Sequence, residues 1–341
     1  KTSISNGYSS LSNAIWVVPI KSRSSFGMSL APYADQRIAS IDQDTSIFQA
    51  FDTTYNYIRS FDRSGGLLSF KIGTSYKVNK YIGFGFYYGI LFGSSRSHES
   101  LSFGGSSIIQ SGRVRYNGIL NDLFFTLSMR EDIKVFSQYT YTIKPLEGAF
   151  EQKHLFDDIN GNGYHDYNPP YYDFPYPDSV EAYSEIRIKD LHAPLGYKLG
   201  ISKTINSVSS LAVELGNMRD NSKDINGLRS PINNWIYETN SLKASFSHYP
   251  NDLSLKLFDK FSFRAGMLYY THRLKNDQST ITEIGYSLGL GFKFKPVGNQ
   301  MDINYYIGNR EHAGMEEKEL IQQIQLGVSL ADIWFVKRRQ K

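Results

Sequence analysis

Asp158, Asn160, Asn162, Tyr164, Asp166 and Asp173 stand in the segment FDDINGNGYHDYNPPYYDF, and their spacing is that of a calcium loop. Calcium takes about six to eight oxygens in flexible geometry. Alternate side chains from Asp158 to Asp166 offer such oxygens, the Tyr164 carbonyl offers another, and Gly163 permits the sharp turn midway. The position where such loops carry a bidentate acid is Pro169, and Asp173 is the acid that would stand in for it. The segment is expected to hold Ca2+. The alternative is an Asx-rich turn that binds no ion.

A second set of chemical groups is spread along the chain. Lys71, Lys198, Glu214, Arg264 and Lys293 each sit on the small or polar side of an alternating segment. Inside a water-filled barrel such residues fill the lumen with ion pairs more often than they form a substrate site. Nothing resembles a catalytic constellation. There is no cysteine, no HExxH pair and no GxSxG turn. Gly83, Gly85 and Gly89 are not a nucleotide fingerprint, because no helix follows and all three fall on one strand face. The protein is therefore not expected to be an enzyme.

The elements that must position these groups have a period of two. Ile82, Phe84, Phe86, Tyr88, Ile90 and Phe92 alternate with Gly83, Gly85, Tyr87, Gly89, Leu91 and Gly93. Leu195, Tyr197, Leu199 and Ile201 alternate with Gly196, Lys198, Gly200 and Ser202. The same holds around Phe70, Leu211, Phe261, Tyr286 and Ile324. Successive strand residues point to opposite faces, so each segment has one apolar face and one polar or small face. A helix would scatter both sets and would lose about 1 kcal/mol per glycine.

Short polar links (KVNKY, KTINSVS, KPVGNQ) contrast with long connections over 40–63, 94–113, 145–191 and 219–235. That asymmetry predicts an outer-membrane barrel with tight periplasmic turns and long external loops. In lipid every backbone N–H and C=O must pair within the protein, so such a sheet must close on itself. The expected fold is all-β: a transmembrane antiparallel β-barrel forming one domain over 1–341. The calcium-type loop lies in its external insertion, 145–191.

The balance of 37 basic and 33 acidic residues gives no electrostatic case for nucleic acid. The longest nearly apolar run, Tyr81–Gly93, is too short to cross a bilayer as a helix.

From Ser262 onward the pieces FRAGMLYY, ITEIGYSLGLGFKF, INYYIGNR and IQLGVSLADIWFVKRR resemble the C-terminal half of FadL-like outer-membrane proteins of the Bacteroidota and related Gram-negative phyla. PIKSRSSFGMSLAPYAD and GGLLSFKIGTSYKVNKYIGFGFYYGILFGS are similar to that family's early strands. The resemblance implies about 14 strands and a bacterial outer-membrane location. It implies uptake of hydrophobic, fatty-acid-like molecules by binding and diffusion. The expected partners are membrane lipid or lipopolysaccharide, a hydrophobic ligand, and outer-membrane or surface proteins. The family's N-terminal plug segment is not found ahead of the first strand, so a plug is expected to be missing. PorV-type members imply the alternative: a non-transporting docking, shuttle or surface-complex subunit of a secretion or adhesion system.

Overall fold

The computed structural model describes residues 13–330, apart from 36–37, 51–52, 104–105, 157–165, 168–171, 174–183, 207, 223–235, 252–256, 276–278, 296–298 and 314–317. Its strands are β1 (Ala14–Lys21), β2 (Ser24–Asp35), β3 (Ile38–Ala50), β4 (Thr53–Lys77), β5 (Ile82–Phe103) and β6 (Ser106–Ser128). There follow β7 (Ile133–Phe156), β8 (Asp166–Tyr167), β9 (Tyr172–Asp173), β10 (Ser184–His192), β11 (Pro194–Asn206) and β12 (Ser209–Asp220). The last five are β13 (Ile236–His248), β14 (Phe261–Leu274), β15 (Thr280–Lys295), β16 (Asn299–His312) and β17 (Lys318–Ser329).

Fifteen strands form one antiparallel sheet, in the order β1-β2-β4-β5-β6-β7-β11-β12-β13-β14-β15-β16-β17, with β3 on β4 and β10 on β7. Among the described residues, β1 and β17 end the path and each has one neighbour. The sheet curls strongly. Tyr33 on β2 and His192 on β10 share a hydrogen bond of 2.7 Å. Yet four strands, β4 to β7, lie between β2 and β11 in the sheet order. At about 4.8 Å per strand a flat sheet would hold them some 24 Å apart. The contact needs a wall rolled around its own interior, which is the geometry of a barrel.

The alternation read from the sequence sets the two faces. Leu195, Tyr197, Leu199, Leu211, Val213, Leu215, Leu242, Phe263, Leu288 and Ile303 are exposed on the outer face. Lys71, Asp122, Glu214, Arg264 and Asp302 lie on the inner face, one residue out of phase. Glycines on that inner face make room for large rings from neighbouring strands. Phe136 lies over Gly200, Tyr87 over Gly73, and Tyr306 over Gly285, where a Cβ would collide with each ring.

An outward apolar belt has a measurable consequence. Leu288 is 64% exposed in the row Tyr286–Leu288–Leu290. Leu288→Arg is expected to cost about 2–4 kcal/mol in lipid, against about 0–1 kcal/mol for Asn217→Arg nearer the external rim. Denaturant unfolding of both variants in vesicles checks this. Equal costs would mean that the belt does not face hydrocarbon.

The structure differs from the sequence reading over 40–63 and 94–113. These were expected as loops, and their described residues are strands. β4 to β7 run for 25, 22, 23 and 24 residues, about twice the roughly 9–11 that a crossing needs. Their outer halves, with β3 and β10 at the sides, make a six-stranded external wall. The reason is physical. Strands outside the bilayer need no apolar face, so SSRSHESLSF carries no membrane pattern yet pairs without a break from Ser94 to Phe103. Where the wall leaves the belt, Gly65 and Gly93 adopt positive φ (102° and 151°). A side chain at either would collide with the facing backbone. Strands β7 and β10 likewise enter the insertion from both ends, to Phe156 and from Ser184.

Candidate functional site

Two kinds of place could do chemistry: the polar interior and a hollow in the apolar exterior. The interior is built from side chains of the wall itself. Asp122 is 3% exposed and gathers three donors. Lys71 Nζ donates to it at 2.6 Å, Thr140 Oγ1 at 2.6 Å and Gln138 Nε2 at 3.0 Å. Above it, His192 joins β2 to β12. Tyr33 O–H donates to His192 Nε2, and Nδ1–H donates to Asp220 at 2.7 Å, which is the tautomer that serves both partners.

Asp220 stands above the membrane-spanning part of β12. Its neighbour Arg219 pairs with Glu238 on the outward face, where charge cannot meet hydrocarbon. Burial opposes the Asp220 charge, but the His192 hydrogen bond and the backbone N–H groups of Ala193 and Ser222 hold its pKa down at about 2.

Around these groups lies a dry cluster. Leu67, Leu91, Val114, Tyr116, Leu120, Leu146 and Leu191 are buried together, with Tyr33, Ala34, Phe150 and Ile188 packed against them. These residues come from β2, β4, β5, β6, β7 and β10, so they close the interior between those strands toward the external side. Leu191 is 0% exposed. It reaches that place because β10 kinks between Ile188 and His192, where Asp190 has φ 60°, and it rests over Gly148.

The other half of the interior carries opposed charges. Glu214 pairs with Lys243, Arg264 with Asp302, and Glu283 with Arg310 while accepting from Tyr306. The sequence-selected residues Lys71, Glu214 and Arg264 are thus placed in ion pairs. Lys293 faces the same interior in register with Gln300. The Lys198 stem packs beside Gly216. The structure does not bring these five together at one point.

Asp158, Asn160, Asn162 and Tyr164 lie outside the described residues. Asp166 and Asp173 pair across the small β8–β9 hairpin. Among the described residues no group of three or more His, Asp or Glu side chains is gathered for a metal ion.

The hollow is on the outside, in the periplasmic half of the belt. It encloses about 690 Å3 across β4, β5, β6, β7 and β11. Two complete outward rows line it: Thr74–Phe86–Leu123–Tyr139–Tyr197 and Tyr76–Phe84–Phe125–Ser137–Leu199. Small Ser137 sits among rings and leucines and gives the hollow its depth. Sequence reasoning missed this place, because each strand taken alone shows only another apolar face. It also missed Tyr33, Asp122 and Asp220. The partners of His192 are 159 and 28 residues away along the chain, so no local motif could reveal them.

A rolled antiparallel wall, apolar outside and ion-paired inside, defines a bacterial outer-membrane β-barrel protein. The chain belongs to the BamG family, whose sequence model matches residues 2–341. Two solved structures are similar. A Pseudomonas aeruginosa FadL homologue superposes with a TM-score of 0.52 at 15% identity, over 88% of this chain and 69% of that one. The P. putida toluene transporter TodX gives 0.51 at 15% identity, over 92% and 79%. At such identity the likeness is one of fold. No curated protein matches the chain.

Proposed function

We propose that the protein takes up hydrophobic, fatty-acid-like molecules across the outer membrane by binding and diffusion, with exchange sideways at the wall. The observation that supports this is the hollow of about 690 Å3, lined by apolar side chains and open to the membrane. Its size is within the roughly 300–1,000 Å3 of small-ligand sites. The interior beside it is polar, with Lys71 and Gln138 both donating to Asp122, so a greasy solute has an easier route along the outer face. The fold shared with the toluene transporter TodX agrees with this reading. No bond is made or broken. Proteoliposomes carrying the protein are expected to admit a long-chain fatty acid several-fold faster than empty vesicles. Ser137→Trp, which fills the hollow, should remove the gain. Equal rates with and without the protein would sink the proposal.

A second reading, a docking or surface-complex subunit, is favoured by the external wall of β3, β4, β5, β6, β7 and β10. A bare transporter has no need of strands twice the span length. Deleting residues 97–112 should then leave the barrel folded and remove a co-purifying outer-membrane protein. Retention of every partner would count against this second role.

A further inference from the structure

We propose that Arg96 and Arg113, on the outward face of the external wall, bind a phosphate of lipopolysaccharide in the outer leaflet. This goes beyond the uptake reading and does not depend on it. The alternation of β5 runs without a register shift against both of its neighbours. Phe92 is the last outward residue of the membrane crossing, and Ser94 and Arg96 continue its side. On β6 the burial agrees. Gly112, Val114 and Tyr116 are buried, and Arg113 and Arg115 between them are exposed.

Arg96 and Arg113 stand directly opposite each other across β5 and β6. Like charges so placed, about 5 Å apart at their Cβ atoms, destabilise a sheet. Among the described residues neither arginine forms an ion pair. The carboxylates nearby do not relieve them. Glu151, across from Arg113 on β7, pairs with Arg115. Asp62, exposed and diagonal to Arg96 on β4, forms no ion pair with it. Glu185 lies one strand beyond Glu151. Beside Arg96 in its own row and the row below stand Ser64, Ser94 and Gly66, so no bulky side chain crowds its approach. Two guanidinium forks on one open face match the oxygens of a phosphate.

The height selects a lipid. The stretch Ile82–Phe92 has about the 9–11 residues that a tilted strand needs to cross. Ser94 therefore enters the headgroup layer, and Arg96 stands one outward position higher, about 6.6 Å along the strand. Just below, Leu68 and Phe92 face each other and are 38% and 39% exposed, a surface for the upper part of acyl chains. Cations at this level of a membrane select anionic headgroups. Inorganic phosphate would meet the same forks without using the apolar surface beneath them.

The test uses the protein in detergent with diphosphorylated lipid A, lipid A stripped of phosphate, and inorganic phosphate. Bound lipid is counted by native mass spectrometry, and thermal unfolding is followed in parallel. The native protein is expected to retain the diphosphorylated form about thirtyfold better than the stripped form, as two cations near an anionic surface would give. Arg96→Gln with Arg113→Gln should bring the two forms to parity. The melting temperature in lipid-free detergent should not fall, because the substitutions remove a repulsion. Lys318→Gln, at an exposed cation of β17, should leave the preference intact. Equal retention of both forms by the native protein overturns the proposal without need of any variant. So does a preference that survives the double substitution, or one that Lys318→Gln removes as well. Displacement of the lipid by millimolar inorganic phosphate would make this a site for the free ion and overturn the lipid assignment.

Discussion

Asp122→Ala is expected to destabilise the barrel by about 3–5 kcal/mol. The loss exceeds one hydrogen bond because three donors are stranded together. Lys71 keeps its charge beneath the dry cluster, and Thr140 and Gln138 lose the same acceptor. An unpaired donor inside a protein costs about 1–3 kcal/mol, and a charged one costs more. Lys71 retains some exposure, so it can turn toward water and soften the effect. Asp122→Asn should cost less, since its amide oxygen still accepts. The double variant Lys71→Met, Asp122→Leu should cost less than Asp122→Ala alone, because no charge remains to strand. Denaturant unfolding in micelles measures all three. A loss under about 1 kcal/mol for Asp122→Ala would show that Asp122 is not the hub described.

Leu191→Ala should destabilise by about 3 kcal/mol and should also make the interior leak. A fully buried leucine leaves a cavity when it is truncated, at a typical cost of about 2–5 kcal/mol. Here the cavity opens in the cluster that seals the interior, between Gly148, Val114 and Leu146. In planar bilayers the native protein is expected to stay nearly silent, and the variant to show discrete openings. A silent variant would mean that the seal does not depend on this side chain. Enlarging the same point is harmful for the opposite reason. A side chain at Gly148 would collide with Leu191, so Gly148→Leu should give poorly folded protein.

Much of the wall was legible because lipid on one side and water on the other force a period of two. Rows such as Leu195–Tyr197–Leu199 could be read directly; the ion-pair partners of Lys71, Glu214 and Arg264 could not, because they come from other strands. The external wall was not legible. Serine and charged residues suit both faces of a strand in water, so no alternation marks β5 beyond Gly93. The link between Tyr33, His192 and Asp220 was hidden for another reason: it depends on curvature, which brings β2 and β10 together across the interior. The hollow depends on one small residue, Ser137, sharing its row with bulky residues on four other strands. The pairing order that would show this cannot be read from β7 alone.

The terminal strands of the sheet carry a consequence for biogenesis. Most pairings join neighbours in sequence, so hairpins can zip up one after another as the polypeptide emerges. Among the described residues the two ends of the sheet, β1 and β17, lie far apart in sequence. Until the final segment arrives, any partly assembled sheet presents an open edge, and open edges recruit other strands. Newly made protein in transit therefore needs shielding until its last strand is laid down, and truncation near the C-terminus should yield aggregates rather than smaller barrels.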